Sequence, residues 1–146
     1  MGEVKSIHRA IWEWMHECPS AGQLFFNFGD IKSGSTLMQP TDTLIEEYID
    51  GQQLRRYAVE LIRFRPITFD ANDTGNIDML EQIDDIIAWL QVQEAEGNYP
   101  ELPEGMRVAA VRVLETEAGY AIANDGIMAK YMLPFTIEYF RDAADE

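Results

Sequence analysis

The sequence is short of basic residues, cysteine and histidine, and each shortage excludes something. Lysine and arginine number 11 against 26 aspartates and glutamates, a net charge of -15 at pH 7. So acidic a surface repels nucleic acid rather than gripping it, and it accounts for solubility by itself. A single cysteine, Cys18, allows no internal disulfide and no cysteine-based zinc site, and it fits a reducing, intracellular setting. The two histidines, His8 and His16, are eight positions apart, about 12 Å along a helix, which is too far to share one metal ion. No apolar run approaches the roughly 20 residues of a membrane helix. Residues 1–10 carry no apolar signal segment. There is no phosphate-cradling glycine loop, nucleophile elbow or zinc-ligand spacing.

What is present suffices for a core. With 146 residues, 47% of them apolar, the chain reads as one domain, 1–146. Its charge is uneven: residues 1–70 hold 7 basic and 10 acidic side chains, residues 71–146 hold 4 and 16.

Val4, Ile7, Ile11, Trp14, Met15 and Cys18 follow a 3.6-residue period, predicting a helix over 4–18 that Pro19 stops. "LFFNF" (24–28) reads as a short strand and "GDIKSGST" (29–36) as a polar loop. The runs 43–50 and 53–66 flank Asp50-Gly51, a hairpin signal. A turn-rich connection, 67–75, leads to a second helix over 76–94, with Asn76 as cap, Asp78 and Glu81 in its first turn, and Gly97 beyond its end. Met79, Ile83, Ile86, Ile87 and Leu90 form its buried stripe. After a proline-containing loop (97–105), strands are expected over 106–115 and 120–125, paired with each other across "TEAG". The last strand, 127–140, alternates with a period of two over 14 residues. Pro134 within it predicts an exposed edge or a bulge. The order of elements predicts an α+β domain, an antiparallel or mixed sheet with two main helices packed on one face.

Chemistry-bearing patterns are weak. Asp70 to Glu81 spans the twelve positions of a calcium loop, with Gly75 at the sixth. Such a loop follows a helix, whereas a strand precedes this one, and helix capping explains the same acids. Glu46 and Glu47 face opposite sides of a strand and form no dyad. Asp84 and Asp85 lie on a solvated helix face, as do His8 and His16, and Cys18 reads as a core residue. No catalytic residue, cofactor or metal is expected.

The one concentration of positive charge is "DGQQLRRYAVELIRFRP" (50–66), which holds four of the 11 basic residues: Arg55, Arg56, Arg63 and Arg65. One parity of this strand has an apolar centre, Tyr57, Val59 and Leu61, between charged ends, as suits a sheet face covered by helices at its middle. The other parity is mixed and suits a protein contact. Cross-strand pairing with Glu46, Glu47 and Asp50 explains the arginines within one chain; an arginine–carboxylate interface between subunits explains them equally. Asp30 and Lys32, in the polar loop, join them as candidate interface residues.

"FFNF" (25–28), "YIDGQQLRRYAVELIRFRP" (48–66), "TGNIDMLEQIDDIIAWL" (74–90) and "GYAIANDGIMAKYMLPFTIEYF" (119–140), in that order, resemble small virion proteins of long-tailed phages and prophages, known as minor capsid or tail-terminator proteins. The resemblance covers about residues 5–141. It implies an α+β protein that assembles as a homo-oligomeric ring, a hexamer, at the head-proximal end of the tail tube. There it would halt tube growth and offer a surface for head joining. The implied partners are further copies of itself, the tail-tube protein and a head-completion protein. DNA would only pass through the lumen, and no membrane is involved. The implied location is the virion tail, with assembly in the host cytoplasm. A head-completion or other minor capsid role is the alternative. Some relatives carry a chloramphenicol-resistance label, but acetyl transfer of that type needs a catalytic histidine, and neither His8 nor His16 has an accompanying motif.

Overall fold

The computed structural model describes residues 6–21, 24–26, 35–66, 75–114, 119–122 and 128–143. Helix α1 spans Ile7–Met15. Its apolar positions Ile7, Ala10, Ile11, Trp14 and Met15 are all buried, the stripe expected of one helix face. Ser6 caps it, accepting a hydrogen bond from the Arg9 amide at 3.2 Å. The helix is shorter than its periodicity suggests. The amides of His16, Glu17 and Cys18 donate to carbonyls three residues back, a tightened last turn that still carries Cys18 into the core. Proline disfavours helical backbone in the residue before it, and Pro19 opens a 3-10 turn, Pro19–Ala21.

Strand β1 (Leu24–Phe26) pairs in parallel with β2 (Ser35–Glu47). β2 pairs antiparallel with β3 (Gln53–Pro66). The expected loop therefore gives way at Ser35, since Ser35 and Thr36 are buried strand residues. Residues 27–34, Asp30 and Lys32 among them, lie outside the described residues. The β2–β3 turn closes as the Asp-Gly pair predicts. Gly51 donates to the Tyr48 carbonyl at 2.9 Å, and its φ of 90° is one that glycine adopts without strain. This is a three-residue loop with a glycine bulge.

Helix α2 spans Gly75–Glu96. It starts one residue before Asn76, which is therefore inside the first turn and not its cap. Asp78 is in that turn; Glu81 lies beyond it. Positions Gly75 to Glu81, the sixth to twelfth of the calcium-loop spacing, are helical, and 70–74 lie outside the described residues. The helix ends in a Schellman motif: Gly97 takes φ 69°, its amide reaches the Glu94 carbonyl, and that of Asn98 reaches Gln93. Ile83, Ile86 and Leu90 are buried. Trp14 and Trp89, with ring centroids 5.1 Å apart, join the two helices.

Strands β4 (Met106–Val113) and β5 (Gly119–Ile122) precede β6 (Met128–Arg141). The sheet order is β1-β2-β3-β6-β4, with β5 also on β6. β5 thus does not pair with β4, contrary to the expected hairpin; the two follow one another along the same side of β6. Pro134 explains the break. β6 is a central strand, paired with β3 over its whole length. Pro134 lies between the β4 contact, which ends at Phe135, and the β5 contact, which begins at Met132. Its carbonyl accepts from the Leu114 amide at 3.0 Å, so its ring nitrogen faces the gap where no ladder bond is required.

One sheet face carries Leu37, Tyr57, Val59, Leu61, Tyr131, Leu133, Phe135, Ile137 and Tyr139, which form one core with both helices. Fold class and helix placement therefore agree with the sequence reading, and the parallel β1 makes the sheet mixed. No described helix is long and apolar enough to cross a membrane.

Candidate interface

The arginine strand resolves into different environments. Arg55 and Arg63 lie on the helix-covered face at the two ends of its apolar centre, as their parity predicts. Arg63 is turned inward. Its Nη1 donates to the Ser20 carbonyl at 3.1 Å and, through a short bond, to Gln82 Oε1. Its Nε is buried without a hydrogen-bond partner, and burial lowers its pKa. Arg63 is thus half-buried and held between β3, α2 and the 3-10 turn. The side chain of Arg65 is outside the described residues.

Arg55 does not meet Glu46, Glu47 or Asp50. Its Nε donates to Asp42 Oδ1 at 3.0 Å, and its Nη1 to Gln53 Oε1 at 2.8 Å. Tyr139 donates to the other Asp42 oxygen at 2.6 Å. The Asp42 carboxylate thus holds two bonds, and because Asp42 is exposed its ion pair with Arg55 is worth about 1 kcal/mol or less. Arg55 is held above its ordinary pKa by the bond to Asp42. Arg56 crosses to β6, 3.0 Å from Glu138. Of the expected acids, Glu47 accepts from Gln53 Nε2 at 2.8 Å, and Asp50 accepts from the Gln52 amide.

Burial first, and then the bond to Asp42, push the Tyr139 hydroxyl from 10.0 up to about 12. Tyr57, fully buried and 2.8 Å from His8 Nδ1, is raised further still, by burial first. Both folded pKa values exceed the unfolded one. The stability they contribute is present below pH 10 and is lost as pH rises toward about 12. The urea midpoint is expected to fall across that window. In a near-ultraviolet titration, Tyr57 and Tyr139 should ionise above the ordinary tyrosine range, with Tyr57→Phe and Tyr139→Phe each removing one late-ionising group.

The most exposed regular structure is the outer half of the β2–β3 hairpin. Every residue from Thr41 to Glu47 is exposed, although all belong to a strand. Among them are Leu44 and Ile45, with Ile49 fully exposed in the turn. β1 covers β2 only at Ser35–Leu37, so among the described residues no strand pairs with the outer edge of Thr41–Glu47. The opposite edge of the sheet is treated differently. The outward amide of Val111 on β4 donates to Glu94 of α2 at 2.9 Å, and that carboxylate also accepts from Tyr99. One edge is thus capped by a helix side chain and the other is left open.

A second surface lies on the sheet face opposite the helices. Arg56 and Arg112 both approach Glu138, at 3.0 and 3.6 Å. The Arg107 guanidinium sits 4.9 Å from the Phe140 ring centroid, whose other neighbour is Tyr48. Alternation along β4 would put Arg107 and Arg112 on opposite faces. A bulge between Val108 and Ala110 reverses the parity, so Arg107 pairs with Phe140 and Arg112 with Thr136 on one face. Further along that face Ile62 and Thr136 are buried, so its exposed part is the arginine end.

Two grooves flank α1. One, about 300 Å³, is lined by Ser6, His8, Arg9 and Trp12. Its hydroxyl is committed to the helix cap and its imidazole to Tyr57. His16 Nδ1 donates to the Trp12 carbonyl, 2.7 Å away. The other groove, about 290 Å³, includes Glu13, Glu17 and Glu101. No group of three or more metal-ligating side chains occurs among the described residues. No family model matches the chain, and no curated protein matches it at a significant level.

Proposed function

We propose that the protein is a structural virion component, a tail terminator. It assembles as a ring, a hexamer, at the head-proximal end of the tail tube of a long-tailed phage. The reading rests on the resemblance carried by residues 25–28, 48–66, 74–90 and 119–140. The observation that supports self-assembly is the open outer edge of β2 with Leu44, Ile45 and Ile49 exposed along it. An edge of this kind invites pairing unless it is blunted or covered, and exposed branched apolar side chains are seats for a contact. The hairpin serves in this proposal as a subunit contact, and the ring binds the tail-tube protein on one side and a head-completion protein on the other.

The test is the solution mass across concentration, with and without tail-tube protein. Assembly toward multiples of the 16.7 kDa chain, alone or on the tube, is the expected result. A monomer at every concentration that also ignores the tube protein overturns the reading.

A further inference from the structure

We infer that the outward face of α2 is a docking surface for a basic amphipathic helix of a second protein. The inference goes beyond the ring reading and does not depend on it. Among the described residues the large exposed apolar side chains fall in two places. Leu44, Ile45 and Ile49 belong to the β2–β3 hairpin; Ile77, Leu80 and Val92 belong to α2, and a contact at the hairpin leaves them uncovered. The apolar positions of α1 lie on its buried side, whereas α2 is apolar on two sides. Its inward side, Ile83, Ile86 and Leu90, builds the core. On the opposite side, at spacings of three and four, stand Ile77 and Leu80 at one end and Ala88, Val92 and Ala95 at the other, all exposed. Apolar surface on both sides of a helix is the pattern of one buried on both.

Between the two apolar ends lie Glu81, Asp84 and Asp85, exposed and in no ion pair among the described residues. Glu81 is three and four positions from the two aspartates, spacings at which like charges repel. The whole of α2 holds six acidic residues and no lysine or arginine to offset them. The order apolar, acidic, apolar, over roughly 27 Å at 1.5 Å per residue, specifies the occupant. A second helix laid along α2 meets its three-and-four spacing with the same spacing. That helix is apolar in its end turns and carries lysine or arginine in its middle turns. A second copy of this chain does not supply it. α2 against α2 sets acid against acid, and the apolar side of α1 is buried in its own core. The group Arg56, Arg107 and Arg112 lies on strands and shares its face with Glu46, Glu138 and Asp142, so it offers no net positive charge.

The probe is a synthetic helical peptide of about 20 residues, long enough to span the face, with leucines in its end turns and lysines in its middle turns on one side. A control peptide has the same composition in shuffled order. Binding is read by fluorescence anisotropy. The patterned peptide should bind the wild type at least about tenfold more tightly than the shuffled one, and added salt should weaken it. Ile77→Gln/Leu80→Gln/Val92→Gln and Asp84→Lys/Asp85→Lys should each lose at least about tenfold in affinity for the patterned peptide. All five positions are exposed, and circular dichroism checks that each variant remains folded. Glu46→Lys/Glu47→Lys on the hairpin should bind the peptide as the wild type does. Self-association of every variant is measured by sedimentation, alone and with tail-tube protein.

Equal affinity for the two peptides would mean attraction by net charge alone, and the inference falls. It falls too if the patterned peptide does not bind, or if either α2 variant binds it like the wild type. If the wild type assembles and the α2 variants do not, the face is a contact between copies; the inference falls and the ring reading stands. A wild type that stays monomeric and ignores the tube, yet holds the peptide through α2, sinks the ring reading alone.

Discussion

Arg63→Glu is expected to destabilise the protein by about 2–3 kcal/mol, because it removes hydrogen bonds from a charged donor at a half-buried site. The guanidinium now donates to two oxygens, the Ser20 carbonyl and Gln82 Oε1. A carboxylate there would face acceptors only, in surroundings that already oppose charge, as the lowered pKa of Arg63 indicates. The Ser20 carbonyl is fixed in the 3-10 turn and cannot turn to donate; the Gln82 amide can flip and offsets part of the loss. Arg63→Met should behave differently. It removes both the charge and the partnerless Nε and keeps the stem's packing, so urea denaturation should place it within about 1 kcal/mol of the wild type. The methionine variant should also assemble normally. If it folds but fails to assemble, Arg63 is an interface residue after all.

Phe135→Ala should cost about 3–5 kcal/mol, by a different route. Phe135 is fully buried on the helix-covered face. It is in register with Val59 on β3 and Val113 on β4, and so sits at the middle of the sheet where neighbours on both sides are held by ladders. Little collapse into the vacated space is possible there, so the cavity penalty adds to the lost transfer energy. The denaturant midpoint should drop with an unchanged slope, and the melting temperature should fall by roughly 10 °C. Phe140→Ala on the other face is the control. Phe140 is only partly buried and should cost clearly less. Equal losses at the two positions would mean that the core is not on the face assigned to it.

The two variants probe one strand pair, and that pair was the most legible part of the sequence. β3 and β6 run in register from Gln53↔Arg141 to Pro66↔Met128 without interruption. Strict alternation therefore identified the core face, including Arg55 and Arg63 at its ends. The Asp-Gly turn, the α2 stripe and the glycine stop after it were equally local. Each depends on backbone and side-chain preferences within a few residues.

Where the reading failed, something outside the segment decided. β2 has register shifts between Met38 and Thr41 and between Leu44 and Glu46. The first puts Asp42 on the same face as Leu37, against simple alternation, and delivers it to Arg55 and Tyr139 in place of the expected Glu46. The bulge in β4 unites Arg107 with Arg112, which no period of two would do. Ser35 and Thr36 looked like loop residues because their ladders come from elsewhere in the chain, from the parallel β1 and, for Thr36, also from β3. β5 looked like the partner of β4, but Pro134 splits the side of β6 into two docking lengths. The Arg56–Arg107–Arg112 face had a faint signal, basic residues in a strand of an acidic chain.

By itself, then, the sequence determined the α+β class, the two helices, the core face of the central strands and the excess of acid. All of these follow from periodicity and composition. Tertiary structure alone decided which arginine meets which carboxylate and which sheet edge stays open. It also decided which arginines share a face. One inserted residue in a strand reverses the side on which every later side chain falls, and the energy that selects such a bulge comes from neighbouring strands.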